Sequence, residues 1–300
     1  MQKVLVILGQ TATGKSDFAV KLAKKIDGEI VSADPRQVYK GLDIGSGKIT
    51  KKEMQGIPHH LLDVASLKNK FNVSLYKDLA ETKIKEIFAQ GKTPIICGGT
   101  GFYIDSLVNG VVFPEVPPNN KLRKELEKKD LASLFKILKK LDPKRAKTID
   151  VKNKVRLVRA IEIATTLGKV PKITQGSPVY KFIKIGLYLP KELLKAKIKQ
   201  RLLKRLKTGM LREAKNLNKN GLSWKKMEAL GLEYKFMALH LQNKLNKAEM
   251  VEKLNLEIYR YAKRQMTWFK RDKGIKWIDA SQNNLLVKQK RELVRQLEKK

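Results

Sequence analysis

The chain has a single cysteine, Cys97, among its 300 residues. That excludes an intrachain disulfide and any cysteine-rich zinc site. In "TPIICGG", Cys97 reads as a small buried residue of a strand. Two of the three histidines are adjacent, His59-His60. With no third ligand nearby, the pair reads as structural. No run of 18 apolar residues occurs, so no membrane span is expected. The N-terminal "KVLVIL" runs straight into a glycine-rich loop with no small-residue cleavage site. It reads as a buried strand of a cytoplasmic protein, not a signal sequence. Acidic residues are also scarce: 29 against 65 Lys and Arg, a formal net charge of +36. The imbalance is uneven. Residues 1–112 carry 16 basic and 11 acidic side chains, residues 113–200 carry 23 and 8, and residues 201–300 carry 26 and 10. A polyanionic partner, nucleic acid first, accounts for such a surface. Lysine-rich coding alone would give the same count without a partner.

Glycine is placed where it matters. Gly9-Gln10-Thr11-Ala12-Thr13-Gly14-Lys15-Ser16 fits G-x-x-x-x-G-K-[ST], whose backbone N–H groups cradle phosphates at a helix N-terminus. The Ser16 hydroxyl is the usual ligand for Mg²⁺ in such a loop. Apolar strands are expected at 3–8, 28–34 and 93–101, with helices at 17–26 and 71–92 between them. This alternation gives an α/β fold, a parallel P-loop sheet flanked by helices. At "VVFPEVPPNN", 111–120, three prolines break the pattern. Helices follow at 121–129, 131–141 and 153–166, then an irregular stretch at 168–178. A strand at 180–190 returns to the sheet, and the rest reads as helical. The expected domains are a catalytic core, 1–112 plus about 180–300, and an inserted all-helical domain, about 113–179.

Ligands of such sheets sit at the carboxyl ends of strands. The loop, Asp34 and Gly98-Gly99-Thr100 all fall there. The third strand ends without the acid that a kinase or hydrolase uses for its metal, and Asp63 in "HLLDV" follows only a short strand. Asp34 reads either as a turn residue or as a general base facing a phosphate-bearing electrophile. ATP is the default cargo of this loop, so a small-molecule P-loop kinase with 113–200 as a lid stays open. A non-catalytic RNA-binding protein stays open as well.

"GQTATGKS", "VSADPRQVYKGLDIGSGK", "GIPHHLLDV", "GGTGFYIDSLVNG", "LDPKRAKTIDVKNKVRLVRAIEIATTLGK" and "AKRQMTWFKR" occur in this order. Together they closely resemble the tRNA dimethylallyltransferase (tRNA isopentenyltransferase) family, bacterial type, over roughly residues 4–271. The resemblance implies Mg²⁺-dependent transfer of a dimethylallyl group from its diphosphate to N6 of adenosine 37. That adenosine lies beside the anticodon of tRNAs reading codons that begin with U. The resemblance implies further that Gly9–Ser16 hold the diphosphate, with Lys15 catalytic, and that Asp34 is the base. Asp34-Pro35-Arg36-Gln37, Thr100, Arg123 and Val155-Arg156-Leu157-Val158-Arg159 would contact the tRNA anticodon stem-loop. A monomer is expected. Departures are Gln10 and Pro35, where the family usually has Pro and often Ser. The family's eukaryotic zinc finger is excluded by the cysteine count.

Overall fold

The computed structural model describes residues 1–300 except 173, 177, 178, 299 and 300. It divides into two compact units, Met1–Asn109 with Ser177–Lys300, and Gly110–Gly176.

The larger unit begins with β1 (Lys3–Gly9), α1 (Lys15–Ile26), β2 (Gly28–Ala33), α2 (Lys51–Met54), β3 (His59–His60), α3 (Val73–Ala89), β4 (Thr93–Gly98) and α4 (Gly101–Val108). The smaller unit holds β5 (Val111–Val112), α5 (Asn120–Glu127), α6 (Leu131–Leu141), α7 (Pro143–Ala146), α8 (Lys154–Leu167) and β6 (Thr174–Gln175). The larger unit resumes with β7 (Lys181–Tyr188), α9 (Lys191–Lys207), α10 (Met210–Lys219), α11 (Trp224–Leu230), α12 (Leu232–Leu241), α13 (Lys247–Phe269), β8 (Lys276–Asp279) and α14 (Asn283–Glu298).

Six strands form one parallel sheet in the order β3-β2-β4-β1-β7-β8. The unbroken apolar run of β1 follows from its inner position. Val4, Val6 and Leu8 pack on one face, against α3, α4 and Phe269; Leu5 and Ile7 pack on the other, against α1 and α14. All five are at most 1% exposed. A strand buried on both faces has no reason to alternate. A third core joins α9 to α13. Among the described residues no helix is long and apolar enough to cross a membrane.

Two expectations need correction. The chain beyond residue 190 is not all helical: β8 pairs with β7 from Ile185↔Lys276 to Tyr188↔Asp279. "KWID" is four residues in a charged stretch, too short for a periodic signal. The insert is not all helical either. β5 and β6 pair antiparallel, and Gly176 N donates to Gly110 O at 3.0 Å. That pair brings together the ends of the unit, Gly110–Gly176.

His60 Nε2 lies 2.6 Å from Glu29 Oε2, and Lys92 donates to the other Glu29 oxygen at 2.6 Å. His59 Nδ1 lies 2.8 Å from Ile57 O. Cys97 sits in β4, 8% exposed, with burial pushing its thiol up to about 11.

Candidate active site

The site lies at the carboxyl ends of β1, β2 and β4, where their three connections meet. At the end of β1, Gly9 has φ +132, and a Cβ there would lie 2.1 Å from Leu187 O of β7. Only glycine fits that approach. Ala12 (φ 64) and Gly14 (φ 83) are left-handed, which turns backbone N–H groups toward one concavity. Among the described residues no protein group accepts from the N–H groups of Ala12, Thr13, Gly14, Lys15 or Ser16. Five donors thus converge at the start of α1.

The cradle is narrower than the motif suggests. Thr11 N donates to Gln265 Oε1 at 2.7 Å, so this N–H is occupied. The Gln10 side chain is buried and donates to Ala262 O at 3.2 Å. The Gln10 carbonyl accepts from Thr13 Oγ1 at 2.8 Å and from Lys15 Nζ at 2.5 Å. Gly9, Gln10 and Thr11 shape the loop; residues 12–16 are its open donors.

Gln265 on α13 explains much of the "KRQMTW" stretch. Its carbonyl takes the Thr11 N–H, while its Nε2 donates to Gly99 O at 2.8 Å. One amide therefore clips the phosphate loop to the turn after β4. Only a side chain with a donor and an acceptor at one tip can do this. Three residues on, Trp268 Nε1 donates to Asp105 Oδ2 at 2.7 Å. Its ring lies where a side chain on Gly101 would be, 2.1 Å from that Cβ.

The loop faces a cationic wall that the sequence did not single out. Arg201 on α9 donates to Thr11 Oγ1 at 3.2 Å and to Gly47 O at 3.2 Å. Arg205, one turn on, donates to Gly45 O at 2.9 Å and to Glu233 Oε1 at 2.8 Å. Burial pushes Lys15 down to about 8, and the Arg201 charge adds to the fall. Burial and Arg205 together also lower the Arg201 guanidinium. Neighbouring cations that weaken each other's protonation form a pocket suited to an anion.

Across from this wall stands Asp34, half-buried at the end of β2. Its Oδ1 accepts from Arg36 N at 2.8 Å and Gln37 N at 3.3 Å. Oδ2 has no protein donor among the described residues. The two readings of Asp34 are thus compatible: one oxygen builds the turn, and the other is left without a protein donor. Burial raises the carboxyl above its ordinary range, and the two N–H groups work against that rise. Pro35 and Arg36 form the half-buried turn, and Gln37 Nε2 donates to Gly47 O at 3.4 Å. Thr100 opens α4, and its Oγ1 is buried without a hydrogen bond. Tyr261 on α13 neighbours Thr100, Gln265 and Asp34; burial, with the Asp34 charge, pushes its hydroxyl up to about 12. Asp63 is engaged elsewhere, 2.5 Å from Lys48 Nζ.

The insert treats its expected contact residues differently. Arg123 Nε and Nη2 donate to the two oxygens of Glu162 at 2.8 and 2.6 Å. Arg159 also donates to Glu162, and to Val116 O at 2.9 Å. Asn119 N donates to Glu162 Oε1 at 2.6 Å. Arg123 and Arg159 therefore pair with a fully buried carboxylate. Burial opposes ionisation of Glu162, but these hydrogen bonds prevail and hold it below its ordinary range. Leu157, 0% exposed, and Val158, 6%, fill the core of the unit. Their side chains are therefore turned into the unit, away from solvent. Val155, 79% exposed, and the exposed Arg156 are the surface positions of the segment.

The IPP transferase family matches residues 37–272. The tRNA dimethylallyltransferase 2 of Treponema denticola is 44% identical over 272 residues, covering 89% of this chain and 91% of that protein. The tRNA dimethylallyltransferase of Anoxybacillus flavithermus is 38% identical, covering 100% of this chain and 97% of its own. The crystal structure of the tRNA isopentenylpyrophosphate transferase of Bacillus halodurans superposes with a TM-score of 0.76 at 32% identity, covering 99% and 97%. A eukaryotic dimethylallyltransferase acting on tRNA superposes at 0.81 and 28% identity, covering 97% of this chain and 78% of its own. The phosphate loop and Asp34 precede the family match, but the Anoxybacillus protein aligns with the whole chain. The chain belongs to the IPP transferase family.

Proposed function

We propose that this protein transfers the dimethylallyl group of dimethylallyl diphosphate to N6 of adenosine 37 in tRNAs reading codons that begin with U. Diphosphate is released. The observation that carries this reading is the pairing, in one crevice, of an anion cradle with a carboxylate oxygen that has no protein donor. A kinase usually carries its metal acid at the end of an apolar strand beside the cradle; β4 runs instead into Gly98-Gly99-Thr100, and Asp63, the alternative, is tied to Lys48.

The chemistry asks for two things. The adenine amine is a weak nucleophile, so its proton must leave as the new bond forms. Asp34 Oδ2 takes that proton. The bond from the allylic carbon to oxygen breaks, and its electron pair leaves with the diphosphate. The N–H groups of residues 12–16, Lys15 and Arg201 meet that growing negative charge. Ser16, exposed at the first turn of α1, is the hydroxyl that would hold a magnesium ion beside the cradle. Among the described residues no cluster of three or more His, Cys, Asp or Glu side chains offers an alternative. Magnesium bound there would neutralise charge on the leaving group. The adenine reaches Asp34 by leaving the stack of the anticodon loop. Residues 110–176, with 17 basic and 7 acidic side chains, serve as a clamp on the stem phosphates. The protein acts on this reading as a cytoplasmic monomer.

The test is incubation with Mg²⁺, unmodified tRNA and dimethylallyl diphosphate labelled in its hydrocarbon, followed by nucleoside analysis. Label on adenosine 37 is expected. Label-free tRNA, together with ATP-dependent phosphorylation of a small molecule, would return the protein to the kinases.

The pH dependence follows from Lys15. Its pKa near 8 means the free enzyme loses this charge as pH rises through that value. kcat/KM for dimethylallyl diphosphate reports the free enzyme, so it should fall above about pH 8. In Lys15→Arg the basic limb should move beyond pH 10. An unmoved limb would assign it to another group.

A further inference from the structure

The segment 43–47 borders the site and has no regular structure beyond turns, yet its backbone is held on every side. Glu213 on α10 takes three of its N–H groups. Oε2 accepts from Asp43 at 3.1 Å and Ile44 at 2.6 Å, and Oε1 accepts from Gly45 at 3.0 Å. The Tyr234 hydroxyl donates to the same Oε1 at 2.8 Å. Gly45 presses on that ring, since a Cβ there would lie 2.6 Å from it. Arg205 takes the carbonyls of Ile44 and Gly45. A carboxylate on one side and a guanidinium on the other thus satisfy one short stretch of chain with charge-assisted bonds.

The far end of this stretch is Gly47. Its carbonyl accepts from Arg201 at 3.2 Å and from Gln37 at 3.4 Å. Gly47 is left-handed (φ +66), and a Cβ on it would lie 2.2 Å from Arg201 Nη2. Arg201 reaches Thr11 of the phosphate loop, and Gln37 N shares Asp34 Oδ1. One carbonyl therefore references both the cationic wall and the turn that carries the base.

We propose that Glu213 is a positioning residue for the transfer: by fixing residues 43–45 it sets the Gly47 carbonyl, and through it the placement of Arg201. The proposal rests on the reading of Arg201 as a diphosphate ligand. Glu213 touches neither substrate. Its effect is geometric, and a displacement of about 1 Å in such a site can cost on the order of a hundredfold.

Glu213→Gln keeps the side-chain shape but turns an amide NH₂ toward backbone N–H groups. kcat/KM for dimethylallyl diphosphate should fall roughly ten- to a hundredfold. tRNA affinity should stay within about twofold, because no phosphate contact is touched. Combined with Arg201→Gln, the double variant should be no slower than Arg201→Gln alone, since both act through one group. Tyr234→Phe removes a single hydroxyl, leaves the ring in the core, and should show the same pattern at smaller amplitude. It carries the test even if Glu213→Gln folds poorly. Losses that multiply in the double variant overturn the proposal. So do wild-type donor kinetics in Glu213→Gln, or equal losses of donor and tRNA binding in both single variants. The two readings separate cleanly. If Arg201→Gln leaves the donor KM unaltered, the diphosphate role of Arg201 fails. If Arg201→Gln raises the donor KM and Glu213→Gln does not, only the positioning role fails.

Discussion

Asp34→Asn should fold, bind tRNA, and lose roughly 10²–10⁴-fold in kcat, the usual contribution of a placed general base. Asparagine suits the experiment because Asp34 has two jobs. Its Oδ1 holds the turn through Arg36 N and Gln37 N, and an asparagine oxygen accepts those bonds equally well. Oδ2, without a protein donor, is replaced by an NH₂ that cannot take a proton. The substitution separates the turn from the base. Single-turnover prenylation at saturating donor gives the rate, and filter binding gives the tRNA affinity. A rate within about threefold of wild type would remove Asp34 from the chemistry. In the wild type, burial raises this carboxyl above the ordinary carboxylate range. The acid limb of the rate should therefore lie higher than for an exposed aspartate, with activity lost as pH falls through it.

The largest stability effect is expected at Glu162→Ala. The carboxylate is fully buried and balances Arg123 and Arg159, whose side chains are 21% and 35% exposed. Removing one partner of a buried ion pair costs about 3–5 kcal/mol because the remaining charge is stranded. The lower end applies, since Arg159 can turn toward water. About 3 kcal/mol corresponds to roughly a hundredfold in local opening. Hydrogen exchange in α5 and α8 of the full-length protein should accelerate by that factor. Protection in α5 and α8 equal to wild type would mean the triad contributes nothing. A pH effect follows with a defined sign. Arg123 and Arg159 keep the Glu162 pKa below its unfolded value despite burial, so the associated stability is present above that unfolded value. It is lost as pH falls through the folded one.

The legibility of these features varied with sequence distance. The loop could be read because its spacing is local, and Asp34 because an acid directly follows a buried strand. Arg201 could not be picked out. α9 holds it among Lys195, Lys197, Lys199, Lys204, Arg205 and Lys207, and nothing in that run marks the one cation aimed at Thr11. Glu213 lies about 170 residues from the N–H groups it holds, and no periodicity links the two. Gln265 lies in the "AKRQMTWFKR" stretch, but its part as a clip depends on Thr11 and Gly99, distant in the chain. Leu157 and Val158 show a different gap. Likeness to a contacting segment marked all five consecutive residues, while helical geometry turns only some of them outward.

The sheet order has a consequence for how the protein is made. β1 lies between β4 and β7, and about 170 residues separate its end from the start of β7. At roughly 5–20 residues per second, a ribosome takes about 9–35 s to deliver that partner. Until then one side of β1 is an unpaired apolar edge, the kind of surface that invites aggregation. The nascent chain therefore passes through a stage when its most apolar strand lacks one of its two partners, and the timing is set by the length of everything encoded between the two strands.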